Sequence, residues 1–372
     1  MLKKFEVEGF KNFDYPLILD FSDVKQYTFN KECITDNLLN TIIVYGQNAI
    51  GKTNLGLAIF DIVNHLVDRN VTPGLYDYYL NNGNKYTYAT FIYTFLFDGI
   101  EVVYEYKKTA ADNLLYESVT IEGELYFEYD NLKNNKKKFF IADRLKAELP
   151  NLNFDYNDAS ISTLRYIVNN SVIEKKHPIR QIYDFVSNML WFRSLDENRF
   201  IGLKDKIKRA NDYFDFIFED DNLESFQDLL KAAGIQDRLV VRATPDKEKV
   251  LYFDGPSLLP FFKVASNGTK ALYTFFYWLQ NKEISFLFID EFDAYYHYEL
   301  SEMLVKQLER KNYQTVLTSH NTNLLSNSIM RPDCYFILTR AKLTSIARAT
   351  DRELREGHNL EKLYINGEFN EA

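Results

Sequence analysis

Gly46 and Gly51 bracket four residues, Gln47, Asn48, Ala49 and Ile50, and are followed at once by Lys52 and Thr53. Two glycines at that spacing let a backbone curl until successive N–H groups face one point, which makes a cradle for an anion. Lys52 adds a full positive charge for the outer phosphates of a nucleotide, and the Thr53 hydroxyl is a ligand for Mg²⁺. Asn54 completes the candidate loop. The β-branched run Thr41-Ile-Ile-Val-Tyr45 reads as a strand entering the loop. The apolar spacing of Leu55, Ile59, Ile62, Val63 and Leu66 reads as a helix leaving it. A helix N-terminus there points its partial positive charge at the same anion.

A second group lies far downstream. The apolar run Ile284-Ser-Phe-Leu-Phe-Ile289 ends in two adjacent carboxylates, Asp290 and Glu291. This is the Walker B arrangement, in which Asp290 holds Mg²⁺ and Glu291 polarises an attacking water as general base. A third run, Tyr313-Gln-Thr-Val-Leu-Thr-Ser-His320, ends in a histidine. A lone histidine at a strand end is more often structural than catalytic. Here it follows the carboxylates by one helix, on the next expected strand, within reach of a γ-phosphate. Between them, Ser266-Asn-Gly268-Thr-Lys leads into a helix from Ala271 to Leu279, with Ser266 as its N-cap.

These groups need a framework. Strands are expected at 4–10 and 15–21, with a turn at Lys11-Asn12-Phe13. Asp98-Gly99 between two β-rich runs signals a hairpin, and Glu122-Gly123 a further turn, so an antiparallel meander follows the first helix. The Asn134-to-Lys138 stretch reads as a solvated loop rather than a phosphate site. From 157 to 235 the spacing is mainly helical, with helices expected at 160–169, 178–190, 201–218 and 223–233, the last capped by Gly234. No heptad pattern persists and no internal repeat is visible. Strand character returns at 238–242 and 249–253. The expected organisation is an N-terminal lobe at 1–156, a helical insertion at 157–235 and a C-terminal lobe at 236–372.

A chain of 372 residues is long enough for a large core. Its net charge of −9 argues against a surface that coats nucleic acid non-specifically, though not against a local basic groove. Cys33 and Cys334 are far apart, without metal-ligand spacing, which fits a reducing cytoplasmic compartment. No apolar run reaches the ~18 residues of a membrane span, and the N-terminus lacks the apolar core of a signal peptide.

The order of these motifs resembles the heads of ABC-type ATPases. It is similar to the soluble branch with SMC, RecF and OLD-like proteins, in particular bacterial AAA-family ATP-binding proteins associated with phage defence. Phe10-Lys11-Asn12-Phe13 resembles that branch's opening strand motif. Asp290 to His297 looks like its Walker B and D-loop, with Tyr298 where proline is common, and Thr318 to Leu325 looks like its H-loop. The tail also resembles that branch, at Arg331-Pro-Asp-Cys, Asp351-Arg-Glu-Leu-Arg355 and Tyr364-Ile-Asn-Gly367. The resemblance implies an α/β fold with a mixed central sheet, an antiparallel β-subdomain and a helical insertion. It implies ATP and Mg²⁺ at Gly46–Asn54 and Asp290, with Glu291 activating water and His320 sensing the γ-phosphate. It also implies Ser266 and Gly268 acting in trans, on ATP sandwiched in a homodimer or higher homo-oligomer. Asn267 and Thr269 depart from the transporter signature Leu-Ser-Gly-Gly-Gln.

Three functions fit that frame. The first is an ATPase switch that controls a separate effector, a nuclease or toxin, in anti-phage defence. The second is a RecF-like repair clamp on DNA, for which Lys204, Lys206, Lys208 and Arg209 would form a basic face, or else a solvated helix face. The third is a nuclease with a compact site in the insertion.

Overall fold

The computed structural model describes residues 1–67, 74–83, 85–132, 138–153, 161–194, 200–203 and 212–369. The chain opens with β1 (Leu2–Glu8) and β2 (Leu17–Asp20), a small hairpin of β3 (Ile34–Thr35) and β4 (Leu38–Leu39), then β5 (Thr41–Tyr45) and helix α1 (Lys52–Leu66). A meander follows: β6 (Ala89–Phe97), β7 (Ile100–Ala110), β8 (Asn113–Ile121), β9 (Glu124–Asp130) and β10 (Lys138–Ile141). Next come α2 (Asp143–Glu148), α3 (Thr163–Asn170), α4 (Pro178–Ser187), β11 (Met189–Arg193), β12 (Phe200–Gly202), α5 (Asp212–Asp215) and α6 (Asn222–Ala232). The small strands β13 (Leu239–Ala243), β14 (Lys249–Phe253) and β15 (Leu259–Pro260) precede α7 (Phe261–Val264) and α8 (Asn267–Leu279). The chain then runs through β16 (Phe286–Asp290), α9 (Tyr298–Glu309), β17 (Gln314–Thr318), β18 (Tyr335–Leu338), β19 (Leu343–Ser345) and α10 (Leu360–Ile365).

Two seven-stranded sheets result, ordered β10-β9-β8-β7-β6-β1-β2 and β12-β11-β16-β17-β5-β18-β19. The first is antiparallel throughout. Its two expected hairpin turns have φ of 52° and 86° at Asp98-Gly99 and 50° and 82° at Glu122-Gly123, the left-handed pair that suits right-twisted strands. The second has a parallel centre, β11-β16-β17-β5-β18, with antiparallel edges. β5, β16 and β17 are buried at every residue, as central parallel strands are.

Helix α1 lies between the sheets. Toward the second sheet it brings Gly56 so close that a Cβ there would meet Trp191 Nε1 at 2.7 Å and Phe288 Cε1 at 2.8 Å. Toward the first it meets an aromatic layer in which the Tyr93 hydroxyl donates to the Ala58 carbonyl at 3.0 Å. The same layer covers a buried ion pair. Lys108 Nζ donates to Asp61 Oδ2 at 2.8 Å, and the Tyr79 and Tyr106 hydroxyls donate to Asp61 at 3.0 and 2.9 Å. Gln314 joins the two sheets directly, accepting from the Leu2 amide at 2.7 Å and donating to the Leu2 carbonyl at 2.8 Å.

Several expectations are corrected. The helix expected at 178–190 stops at Ser187, because Met189 and Leu190 start β11, paired in parallel with Phe286 and Leu287 of β16. Ile201 and Gly202 are strand rather than helix, held antiparallel against Trp191 and Leu190, since pairing on a sheet edge outweighs helical spacing. Helical structure described within 201–218 is confined to α5 and one 3₁₀ turn at Phe216–Phe218. Residues 157–235 thus supply a strand to the central sheet as well as helices. Lys204, Lys206, Lys208 and Arg209, Ser160, and the loop up to residue 137 lie outside the described residues. Cys33 and Cys334 are remote in sequence but interact in the core as buried free thiols.

Three stability predictions concern charged groups outside the loop at 46–51. Lys108→Ala leaves Asp61 without its cation and is expected to cost about 3–5 kcal/mol in chemical denaturation. Lys3→Ala, at the half-exposed pair with Glu101, should cost about 1 kcal/mol or less. Burial pushes Glu309 up to about 7, where its Oε1 accepts from the Cys33 thiol at 3.2 Å. The folded state therefore favours the protonated acid. That stability is complete below the ordinary carboxyl range and is lost as pH rises through about 7. Glu309→Gln should raise stability at pH 8 by something on the order of 3 kcal/mol, with the gain gone at acidic pH, read as paired melting curves.

Candidate nucleotide site

The C-terminal ends of β5, β16, β17 and β11 converge, as ligand sites do in parallel sheets. β5 delivers the 46–51 loop, exposed at Gln47, Asn48 and Ala49, and α1 begins at Lys52. Ala49 and Gly51 take φ of 61° and 111°, which bends the loop back over the helix N-terminus. A Cβ at 46 would lie 2.9 Å from the Leu338 carbonyl oxygen, and one at 51 would lie 2.4 Å from Asn12 Nδ2. Both glycines are thus required by space, and Gly51 by conformation as well.

Lys52 is buried, and its Nζ donates to the carbonyls of Gly46 at 2.9 Å and Gln47 at 3.3 Å. Burial holds its ammonium below the usual lysine range, with Asp290 and Glu291 opposing that shift. Thr53 Oγ1 donates to Asp290 Oδ2 at 2.7 Å, and Thr318 Oγ1 donates to Asp290 Oδ1 at 2.7 Å. Asp290 is fully buried, which pushes its carboxyl above the usual range while the two hydroxyls pull it back. This pairing fits Mg²⁺: a hydroxyl and a carboxylate, both hard oxygen ligands, meet at the phosphate loop, and the buried carboxylate is short of positive charge.

Glu291 follows on a left-handed backbone with φ 53°, its amide donating to Thr318 Oγ1 at 2.8 Å. Its carboxylate is gripped by Arg193, through Nη2 to Oε1 at 2.8 Å and Nε to Oε2 at 3.2 Å. His320 is exposed just beyond β17. Partial burial first, then the Lys52 ammonium, hold its imidazole below the usual range, which places it in the field of the same cluster. Asp293 accepts from Ser319 Oγ at 2.8 Å and steadies the turn before His320.

The structure thus gathers Gly46–Asn54, Asp290, Glu291 and His320 into one site. It does not bring Ser266 and Gly268 into it. Ser266 Oγ caps α8 by accepting from the Thr269 amide at 3.1 Å, and Gly268 lies against Tyr295. Among the described residues no hydrogen bond joins either to the loop, and Ser266 and Asn267 face solvent. Two contributors were not assigned from sequence. Asn12, in the β1–β2 turn, donates to the Ile50 carbonyl at 2.9 Å and accepts from Asn54 Nδ2 at 2.6 Å, clamping the loop. Arg193 ends an apolar run, Met189 to Phe192, as Asp290 ends its own, and that shared pattern was the available signal.

Among solved structures, the SMC head bound to the C-winged helix domain of ScpA is 13% identical, with 92% of this chain and 97% of that chain covered and a TM-score of 0.50. The SMC head domain from Thermotoga maritima is 14% identical, with 92% and 98% covered and a TM-score of 0.41. Among curated proteins, none matches this chain. A family model described as "AAA domain, putative AbiEii toxin, Type IV TA system" matches residues 42–326, from the β5 strand past His320. The chain therefore belongs to that AAA-domain family, and its fold is the ABC-type ATPase head seen in SMC proteins.

Proposed function

We propose that this protein binds and hydrolyses ATP, closes as a homodimer around it, and uses that cycle as a switch over a separate effector in anti-phage defence. The observation that carries the proposal is the hydrogen-bonded chain Thr53–Asp290–Thr318–Glu291, which begins beside Lys52 in the sequence. In this reading the amides of Gly46 to Thr53 and the α1 N-terminus receive the phosphates. Lys52 exchanges the loop carbonyls for phosphate oxygens. Thr53 and Asp290 would hold Mg²⁺, whose charge would offset that developing on the phosphates. Glu291 takes the proton of the attacking water, and His320 contacts the γ-phosphate.

The solvent-facing Ser266 and Asn267 support an assignment in trans, with Ser266 and Gly268 reaching the nucleotide of the opposite subunit. The family description, with its toxin–antitoxin system, favours a toxin or nuclease as partner. The structure of an SMC head bound to a ScpA domain gives a precedent, in that protein, for a head holding a separate polypeptide. No helix of the described residues is long and apolar enough to cross a membrane.

Lys52→Ala and Gly51→Ala should each weaken Mg-ATP binding at least about tenfold with the fold retained, measured by calorimetry and circular dichroism. Glu291→Gln should keep binding but lower hydrolysis by about 10²–10⁴-fold in a phosphate-release assay. Unchanged hydrolysis in Lys52→Ala would overturn the reading. Ser266→Arg should leave nucleotide binding to the monomer in place but abolish ATP-dependent dimerisation, followed by light scattering with the Glu291→Gln background to hold ATP. Loss of a defence phenotype in Lys52→Ala, with a co-purifying effector, tests the switch itself.

A further inference from the structure

The grip of Arg193 on Glu291 has no counterpart among the roles assigned above. β11 and β16 run parallel, with Arg193 opposite Asp290, and the Ser194 amide donates to the Asp290 carbonyl at 3.1 Å. The backbone under the guanidinium is therefore fixed by the sheet. The backbone under Glu291 is fixed by its amide bond to Thr318. Only the two side chains can re-pair, and they are partly shielded, at 29% and 24% exposure. A fork-to-fork pair of this kind is a strong, directional contact. It engages both oxygens of the carboxylate that would take a proton from water.

The same guanidinium lies 3.8 Å, through Nε, from Asp290 Oδ2, the atom that also accepts from Thr53. A divalent cation held by Thr53 and Asp290 would stand beside it and repel it. A terminal phosphate offers a guanidinium the same two-pronged partner that the carboxylate does. With a metal-bound triphosphate in the site, the guanidinium would be repelled from Asp290 and would find a new partner in the phosphate.

We propose that Arg193 is a latch on the general base: it holds Glu291 until a metal-bound triphosphate enters, then transfers to the terminal phosphate and frees the carboxylate. This rests on the nucleotide reading above. It makes Arg193 a nucleotide-contacting residue whose exchange of partners ties release of the base to the loaded site. An arginine that merely propped Glu291 would stay paired throughout.

A double-mutant cycle on the full chain separates the two. The dissociation constant of the Mg²⁺ complex of β,γ-imido-ATP is measured for the wild type, Arg193→Ala, Glu291→Gln and the double variant. This probe is not hydrolysed, so binding is read apart from activity. Glu291→Gln spares the exchange its competing carboxylate and should tighten binding about tenfold when Arg193 is present, but about threefold or less in the Arg193→Ala background. Arg193→Lys, which keeps the charge and loses the fork, should give an intermediate gain, and it carries the test should the alanine variant not fold. Arg193→Ala should also raise KM for ATP more than it lowers kcat. An equal gain from Glu291→Gln in both backgrounds, or a fall in kcat with KM unchanged, overturns the latch while leaving the ATPase reading intact. No binding of the analogue by the wild type overturns both.

Discussion

A carboxylate with no exposure to water sits where three parallel strands end. Asp290 satisfies both oxygens with hydroxyls, Thr53 at the start of α1 and Thr318 at the end of β17. Neither hydroxyl brings a charge, and Arg193 stands 3.8 Å away with two of its hydrogen bonds directed at Glu291. Burying a charge so thinly compensated is costly, and the cost is tolerable where a cation completes the site. Everything around it serves that point. Thr53 fixes the loop to β16, Thr318 fixes β17 to β16 and orders the Glu291 backbone, and Ser194 fixes β11 to the same residue.

The two-sheet architecture explains the composition. Phe5, Phe91, Tyr93, Phe95, Tyr104 and Tyr106 are all buried and fill the space over α1. Their hydroxyls are not idle: Tyr79 and Tyr106 solvate Asp61, and Tyr104 with Ser162 solvates Glu117, whose carboxylate also receives the first amides of α3. Helix α1 is thereby anchored on both faces, by close contact at Gly56 and by polar bonds beneath the aromatic layer.

The legible parts of the site are those whose chemistry sits on contiguous residues. Gly46 to Thr53 and Asp290-Glu291 carry their pattern in local spacing, and outside the site the Asp98-Gly99 turn is legible because Asp-Gly tolerates positive φ. The strand β11 was hidden because its apolar run continues the helix α4 almost without a break, so period could not separate them. With it went Arg193. Asn12 reads as a turn residue within the opening motif, and its clamp on the loop is not legible because its contact with Ile50 spans the two sheets. No local pattern marks Asp61 and Lys108 as partners, since only the packing of α1 onto the meander buries them together.

Gln314 is a further residue of this kind. Its carboxamide meets the N–H and the C=O of Leu2, doing for the two sheets what one rung of a ladder does for two strands. The task needs a donor and an acceptor on one planar group at that reach. Glutamate would set an oxygen against the Leu2 carbonyl, asparagine falls one methylene short, and leucine would leave both backbone groups unpaired. The registry between the halves of the molecule therefore hangs on the identity of one amide, at a position where a reader of the sequence would expect any polar residue to do.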